Sequence, residues 1–380
     1  MNKEEEVHRQ RIAAIGLAAM AALAIAACGS ASSSSSSSSA AAAPSSSSAS
    51  SSAASSSSGS ASPGGAKTLV GAGSTLVAPL VSEWQPVYDT KFGVAITYGA
   101  IGSGGGIEQA TARTVNFGAS DAPLTSSQEA SCKCLEIPWA LAAVAIAYHV
   151  NGVPNHLHFT GPVLADIWLG KIKRWNDPAI QALNPGVKLP STPIVPVHRT
   201  DGSGDTFAFT NYLSKISPQF KSQIGNAVLV NWPGGIGGKG NSGVGGALSA
   251  TNGAIAYITL AYVVENNFDY GLVQNAAGRY ISPGIPSIEA AAAAFPTVPT
   301  GGMQGVSITD PPASAPTAYP ISTFTYVLVP PGNSPAVVSA LKAFIDWAIT
   351  SGQPLGAKLE FAPLPSAVVK ADQTDVSLIK

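Results

Sequence analysis

Short apolar runs alternate with helical patterns from Lys67 to the C-terminus, and this alternation restricts the fold more than any other feature. The first predicted strands are 68–72, 94–98 and 117–119, and the first predicted helices are 74–91 and 105–113. The apolar run 139–148 suits a strand that is buried on both faces. Alternation of this kind is typical of α/β proteins with a mainly parallel sheet.

The pattern continues through the middle and the end of the chain. The later predicted helices are 163–169, 177–183, 204–216 and 336–351, and the later predicted strands are 194–198, 254–258 and 324–329. Residues 234–246 contain many glycines among few side chains, so the sequence predicts a loop there. Trp168, Trp175 and Trp347 lie in apolar patterns and are predicted to be core residues.

Residues 29–66 consist almost entirely of Ser, Ala, Gly and Pro and contain no aromatic residue. Such a segment cannot bury enough apolar surface to offset the entropy lost on ordering, so it is predicted to be a flexible tether. Residues 67–380 remain to fold. They are enough for two lobes, since a single core stops growing at about 250–300 residues.

The N-terminus carries the pattern of an export signal. Basic residues, mixed with three glutamates, precede an apolar run at 12–27 that is short for a membrane span. Small residues then precede Cys28, as in a bacterial lipobox; the alternative is an ordinary signal peptide with a chance cysteine. We expect 1–27 to be a lipoprotein signal peptide and 28–66 a lipidated cysteine with its tether. The chain would then be anchored at the extracytoplasmic face of the cell membrane.

Charge and metal-ligand patterns exclude several classes of function. The formal net charge is −1 and only 11% of residues are charged, so nucleic acid is not an expected partner. His156 and His158 lie beside Asn and Pro, a pattern that favours a solvated turn over a metal site, and no metal or cofactor is predicted. Cys132 and Cys134 could form a local disulfide or remain thiols, and the sequence leaves both alternatives open.

Three turns of small residues each join a predicted strand to a predicted helix. They are 71–75 (GAGST), 102–106 (GSGGG) and 201–206 (DGSGDT). Each places hydroxyl groups beside the unpaired N–H groups of a helix N-terminus, an arrangement that binds anions. A single turn of this kind is usually structural, but three in one chain favour an oxyanion site.

Competing motifs fail at defined positions. A G-x-G-x-x-G dinucleotide fingerprint would need glycine at Ile107 or at Gln109. A Walker phosphate loop would need glycine at Pro233 and Ser or Thr at Gly240. No serine lies in the G-x-S-x-G pattern of a nucleophile elbow.

At these turns the sequence resembles the periplasmic phosphate-binding subunit of Pst-type ABC importers. The matching stretches are GAGSTLVAPL (71–80), YGAIGSGGG (98–106), VNFGASDAPL (115–124), ADIWLGKIKRWNDPAI (165–180), VHRTDGSGDTF (197–207), GGKGNSGV (237–244), AYPISTFTYVLV (318–329) and FAPLPSAVV (361–369). They span essentially all of 67–380 in the family's order. The resemblance implies a monomeric binder of inorganic phosphate, not an enzyme, which serves the membrane permease and ATPase subunits of a phosphate importer.

The resemblance also implies a fold and a domain arrangement. The expected fold is α/β, the two-lobed periplasmic-binding-protein fold of type II, with mainly parallel sheets flanked by helices and a hinge of crossing strands. Lobe I would comprise 67–147 plus 318–380, and lobe II would comprise 148–317.

Eight ligand positions carry over from the family, one residue at a time. They are Thr75, the backbone of Leu76, Ser103, Asp121, Arg199, Ser203, Gly204 and Asp205, with the N–H groups of Gly104 and Gly105 as further donors. Many members have Thr where this chain has Asp205, whereas a subset that includes mycobacterial members shares the D-G-S-G-D pattern.

Asp121 and Arg199 could each bind the ligand or have a simpler structural role. An ionised Asp121 accepts hydrogen bonds only, so it favours phosphate, which keeps a proton, over sulfate, which has none; its simpler role is to cap a turn. The planar Arg199 suits a tetrahedral oxyanion, but it could instead pair with Asp201. The alternative functions are a receptor for another oxyanion, a phosphatase on the same scaffold, and a tethered surface protein without a transport role.

Overall fold

The structure is a computed structural model that describes residues 66–295 and 306–380. The predicted signal peptide, Cys28 and all but the last residue of the predicted tether lie outside the described residues. Among the helices of the described part, none combines the length and the apolar character needed to cross a membrane.

Strands and helices alternate along most of the described chain. The strands are β1 (Thr68–Gly73), β2 (Ala95–Ala100), β3 (Phe117–Ser120), β4 (Leu135–His149), β5 (His158–Phe159), β6 (Val195–Arg199), β7 (Ile236–Gly238), β8 (Ala254–Thr259), β9 (Asp269–Tyr270), β10 (Leu272–Gln274), β11 (Tyr280–Ile281) and β12 (Ser322–Val329). The helices are α1 (Ala78–Phe92), α2 (Ser103–Ala112), α3 (Ser126–Cys132), α4 (Gly161–Trp168), α5 (Pro178–Leu183), α6 (Gly204–Ile216), α7 (Pro218–Gln223), α8 (Gly240–Ala250), α9 (Leu260–Asn266), α10 (Ile285–Ala293), α11 (Pro335–Ile349) and α12 (Ser366–Ser377), with a 3₁₀ helix at Gln353–Leu359.

One long strand, β4, belongs to both halves of the main sheet, whose order is β2-β1-β3-β12-β4-β8-β6-β7. Residues 135–143 pair with β12, and residues 144–149 pair with β8. The outer strands of each half are parallel, while β12 and β4 run antiparallel to their neighbours. We call the half built on β2-β1-β3-β12 lobe I, and the half built on β8-β6-β7 lobe II. The predicted two-lobed α/β fold is confirmed, whereas the predicted boundaries 67–147, 148–317 and 318–380 stay a prediction.

Each lobe has its own aromatic cluster. In lobe I, Trp84 packs edge-on against Trp139 with ring centroids 5.3 Å apart. In lobe II, Phe209 stacks on Tyr257 at 4.7 Å. The three tryptophans predicted to be core residues are all buried: Trp168, Trp175 and Trp347. The two aromatic clusters belong to one continuous hydrophobic core that runs through both lobes.

Two local predictions were wrong. Helix α1 begins at Ala78 and not at residue 74, because Pro79 has no N–H to donate to the carbonyl of Thr75 and is best accommodated in the first turn, although Pro86 lies inside the same helix. Residues 234–246 are not a loop: they form β7 and most of α8. Tertiary packing outweighs the poor helix propensity of glycine there, since Val244 and Leu248 are fully buried.

The cysteine pair is bonded. Cys132, the last residue of α3, forms a disulfide with Cys134, one residue before β4. This selects one of the two alternatives that the sequence left open.

Candidate functional site

The site lies where the carboxyl ends of parallel strands from both lobes face each other. β1, β2 and β3 supply loops from lobe I, and β6 and β7 supply loops from lobe II. The structure brings all eight predicted site residues to these strand ends: Thr75, Leu76, Ser103, Asp121, Arg199, Ser203, Gly204 and Asp205. Ligands of α/β proteins are commonly bound at such strand ends.

Glycine allows the two lobes to meet backbone to backbone. The N–H of Gly104 in lobe I donates to the carbonyl of Gly202 in lobe II at 2.9 Å. A Cβ atom added at Gly204 would overlap the carboxylate of Asp121. Only glycine therefore permits this close approach at position 204.

Asp121 is a buried carboxylate that is held on one oxygen only. Its Oδ2 accepts hydrogen bonds from Ser74 Oγ at 2.6 Å and from Ser103 Oγ at 3.3 Å. Its Oδ1 is also buried and makes no well-formed hydrogen bond among the described residues, although the nearby hydroxyl of Thr325 acts, with Ser74 and Ser103, to lower the pKa of this carboxyl group. Burial, together with the nearby charge of Asp205, raises the pKa of Asp121 to about 7.

Ser103 connects the two lobes at this point. Its Oγ accepts from the N–H of Asp121 at 3.2 Å and from the N–H of Gly204 at 3.1 Å. Ser103 begins α2, and Gly204 begins α6. The N-termini of two helices, one from each lobe, thus converge on the same small volume, where their N–H groups favour negative charge.

Arg199 carries the positive charge of the site and is 2% exposed. Asp201 binds it through both oxygens, which accept from Nε at 2.8 Å and from Nη2 at 2.5 Å. Burial by itself would raise the pKa of Asp201, but the hydrogen bonds from Arg199 outweigh burial and lower it. Burial likewise acts to lower the pKa of Arg199, and its carboxylate partners more than compensate, so that the pKa is raised. The guanidinium is therefore held charged and in one orientation.

Asp205 repeats the pattern of Asp121 from the other lobe. Its Oδ2 accepts from Arg199 Nη1 at 2.7 Å and from Ser203 Oγ at 3.4 Å. Its Oδ1 is buried and has no hydrogen-bond partner in the described part of the chain. Burial raises the pKa of Asp205, although Arg199 acts in the opposite direction. Ser203 also caps α6, since its Oγ accepts from the N–H of Thr206 at 3.3 Å.

The first loop differs in detail from the sequence-based expectation. The N–H of Leu76 donates to Ser74 Oγ at 3.0 Å. The Oγ1 of Thr75 accepts from Asn241 Nδ2 at 3.1 Å. The hydroxyl of Tyr98 donates to the carbonyl of Ser74 at 2.8 Å and so holds the backbone of the loop in place.

Sequence reasoning missed two side chains of the site, Ser74 and Asn241. Ser74 is fully buried and lies next to the predicted Thr75. Asn241 lies in the first turn of α8, inside the stretch that was predicted to be a loop. A signal for Asn241 did exist, because G-N-S-G after a glycine-rich strand repeats the small-residue pattern of the other three turns.

A cavity of about 500 Å³ lies beside this region, and Thr75 is the one predicted site residue among those that line it. It is lined from both lobes, by residues that include Thr75, Ala78, Pro79, Asp201, Asn241 and Tyr262. In the described residues no group of three or more His, Cys, Asp or Glu side chains is arranged to hold a metal ion. The arrangement suits a small anion that brings hydrogen atoms of its own, because two carboxylate oxygens can only accept.

Comparisons with known proteins identify the family to which the chain belongs. Residues 50–351 match the family described as the PBP superfamily domain. The chain is 41% identical over 302 residues to the phosphate-binding protein PstS of Xylella fastidiosa (strain Temecula1), covering 79% of this chain and 82% of that protein. It is 38% identical over 310 residues to the phosphate-binding protein PstS of Pasteurella multocida, covering 81% and 89%.

Solved structures show the same fold. A phosphate-binding protein from Stenotrophomonas maltophilia superposes with a TM-score of 0.62 at 17% identity, over 81% of this chain and 94% of that one. The family match at residues 50–351 includes every loop of the site. The chain therefore belongs to the PstS phosphate-binding protein family of the PBP superfamily.

Proposed function

We propose that this chain binds inorganic phosphate outside the cytoplasmic membrane and delivers it to an ABC permease for import. Phosphate would lie between the lobes, in contact with Thr75, the backbone of Leu76, Ser103, Asp121, Arg199, Ser203, Gly204 and Asp205. Its relatives at 41% and 38% identity are named for phosphate binding and not for catalysis.

One observation carries the proposal: two buried carboxylate oxygens, Asp121 Oδ1 in lobe I and Asp205 Oδ1 in lobe II, have no well-formed hydrogen bond among the described residues, and Arg199 binds the other oxygen of Asp205. A buried polar atom without a partner costs about 1–3 kcal/mol, and more when it is charged. A ligand that offers P–OH groups removes this cost. Helix N-termini and Arg199 can balance the negative charge of the same ligand.

Sulfate fits the same site badly. It carries no proton at neutral pH, so its oxygens would face the two acceptor oxygens with repulsion. Molybdate in its fully ionised form meets the same obstacle. Arsenate, in contrast, has the shape and the protons of phosphate and is expected to bind.

A phosphatase on this scaffold is disfavoured by the hydrogen bonding of Ser74. Its Oγ lies 2.6 Å from Asp121, as in a nucleophile–base pair. However, the same oxygen accepts from the N–H groups of Leu76 at 3.0 Å and Val77 at 3.2 Å. The serine hydroxyl therefore satisfies the backbone N–H groups of the turn before α1, a structural role that accounts for its position without catalysis.

Calorimetric titration of the purified protein with phosphate, sulfate and arsenate tests the proposal. We expect binding of phosphate and arsenate, and at least a hundredfold weaker binding of sulfate, about 2.7 kcal/mol. Equal affinity for sulfate would overturn the proposed role of the two carboxylates. Robust hydrolysis of a phosphomonoester that persists after the protein is repurified would instead favour a phosphatase.

We further propose that Cys28 carries a lipid, that 28–66 tethers a monomer to the extracytoplasmic face, and that the permease and ATPase subunits of a phosphate importer are its partners. Support comes from the small residues before Cys28 and from the Ser/Ala-rich composition of the following segment. Labelling with palmitate, compared between wild type and Cys28→Ala, tests the anchor. Phosphate uptake by cells that lack the chain tests the transport role and separates it from that of a passive surface protein.

A further inference from the structure

Asn241 makes hydrogen bonds to both lobes at the edge of the site. Its Nδ2 donates to Thr75 Oγ1 in lobe I at 3.1 Å and to Asp205 Oδ2 in lobe II at 3.1 Å. Its Oδ1 accepts from the N–H of Thr259 at 3.4 Å. The side chain is 2% exposed, and its three partners use both of its N–H groups and its carbonyl oxygen. The amide can therefore adopt only one orientation here.

The bond to Thr75 controls where the threonine hydroxyl points. A hydroxyl group has a single hydrogen to donate. Because Thr75 Oγ1 accepts from Asn241, its hydrogen points away from Asn241. Thr75 is thereby prepared to donate to an anion in the cleft.

The bond to Asp205 controls which carboxylate oxygen stays without a partner. Oδ2 receives three donors, from Arg199 at 2.7 Å, Asn241 at 3.1 Å and Ser203 at 3.4 Å. Oδ1 receives none among the described residues. Asn241 thus helps to fix the carboxylate in the rotamer that leaves Oδ1 for the ligand.

We propose that Asn241 is a positioning residue of the phosphate site. Its side chain joins lobe I to lobe II in the closed protein, orients the Thr75 hydroxyl as a donor and leaves Asp205 Oδ1 as an acceptor. This inference rests on the proposed function. The contact with Thr75 crosses between the lobes, so it forms only when they are closed. Its loss should therefore speed the release of phosphate far more than it slows capture.

Stopped-flow kinetics and calorimetry with inorganic phosphate test this role in the purified full chain. Asn241→Ala removes both donors, and Asn241→Asp keeps the shape but replaces the donors with an acceptor. For both variants we expect the dissociation rate constant to rise at least about tenfold, with the association rate constant within about threefold of wild type. Ser249→Ala, at an exposed position of the same helix that does not line the cavity, is the matched control and should leave both constants unchanged.

A double-mutant cycle with Thr75→Val separates positioning from a general structural role. If Asn241 acts through Thr75, the effects of Asn241→Ala and Thr75→Val on phosphate affinity will not add. Strict additivity, or a dissociation rate constant within about twofold of wild type, would overturn the inference. If the wild-type protein binds no phosphate, the proposed function is refuted. If wild type binds phosphate normally and Asn241→Ala is unaffected, the role of Asn241 alone is refuted.

Discussion

At the scale of single residues, the site depends on which atoms are left without a partner. Asp121 Oδ2 receives two hydroxyl donors, whereas Oδ1 is buried and makes no well-formed hydrogen bond in the described residues. In its ionised form, a carboxylate in this position accepts from a ligand and cannot donate to it. Selectivity against unprotonated anions therefore depends on Asp121 being ionised, together with Asp205 in lobe II.

Asp121→Asn should weaken phosphate binding and reduce discrimination against sulfate. The carboxamide offers an N–H donor that an unprotonated sulfate oxygen can accept. Calorimetry with both anions should show a phosphate-to-sulfate affinity ratio at least tenfold smaller than in wild type, about 1.4 kcal/mol. An unchanged ratio would mean that Asp121 only caps its turn.

The same residue makes the stability of the phosphate-free protein depend on pH. Burial raises the pKa of Asp121 from 3.8 to about 7, so the folded state holds the proton more tightly than the unfolded state. The contribution of Asp121 to the free energy of unfolding is fully present below about pH 3.8 and is lost as the pH rises toward 7. Urea unfolding of wild type and Asp121→Asn at several pH values should show wild type losing up to about 1.4 kcal/mol per pH unit relative to the variant in this window. Parallel curves would contradict the raised pKa.

Much of the site could be predicted from single residues, but not its hydrogen bonding. Hydroxyls and carboxylates at strand ends mark the positions of Ser103, Asp121 and Ser203. The bonds of Ser74 and Asn241 join segments 47 and 166 residues apart in sequence, and local patterns carry no information on such pairs. The choice of Oδ1 over Oδ2 likewise depends on donors from other segments.

At the scale of helices and strands, the sequence-based prediction succeeded where local signals define an element and failed where tertiary packing does. Helix α6 has the predicted bounds, because Ser203 is a strong N-cap and the following residues favour a helix. Helix α8 was missed, because its glycines predict a loop until the packing of Val244 and Leu248 is known. Local propensity is a weak guide when an element is held by its neighbours.

Two glycines in helices give a matched pair of substitutions. A Cβ at Gly106 in α2 would lie 2.5 Å from the carbonyl oxygen of Ala119 and 2.6 Å from the Cα of Gly73, both backbone atoms. A Cβ at Gly246 in α8 would meet nothing within 4 Å. We expect Gly106→Ala to lower the free energy of unfolding by about 1–3 kcal/mol and Gly246→Ala to raise it by about 0.5–1 kcal/mol.

Denaturant unfolding of both variants measures this difference. Gly106→Ala should also weaken phosphate binding, since α2 carries Ser103 into the site. Gly246→Ala should bind as wild type does. Equal stability of the two variants would show that α2 does not pack against β1 and β3 as closely as described.

At the scale of the whole molecule, the two lobes meet through a few specific contacts. Gly104 with Gly202, Ser103 with Gly204, and Thr75 with Asn241 are the hydrogen bonds that cross between them at the site. A ligand that contacts both lobes adds its own bonds to this set and so favours closure.

Phosphate should therefore stabilise the folded protein by mass action. At a concentration one hundred times the dissociation constant, it should add about 2.7 kcal/mol to the free energy of unfolding. Sulfate at the same concentration is the matched control and should add much less. Thermal unfolding monitored by calorimetry measures both, and an equal rise in the two anions would argue against selective binding.

Because β4 runs through both sheets, neither lobe can be separated from the other as an intact unit. Residues 135–143 complete one sheet and residues 144–149 complete the other, so a cut at the lobe junction would sever a strand that each sheet needs. A gene fragment that encodes either lobe would expose an apolar, unprotected sheet edge, which invites aggregation. The two lobes are therefore expected to fold only as parts of one chain.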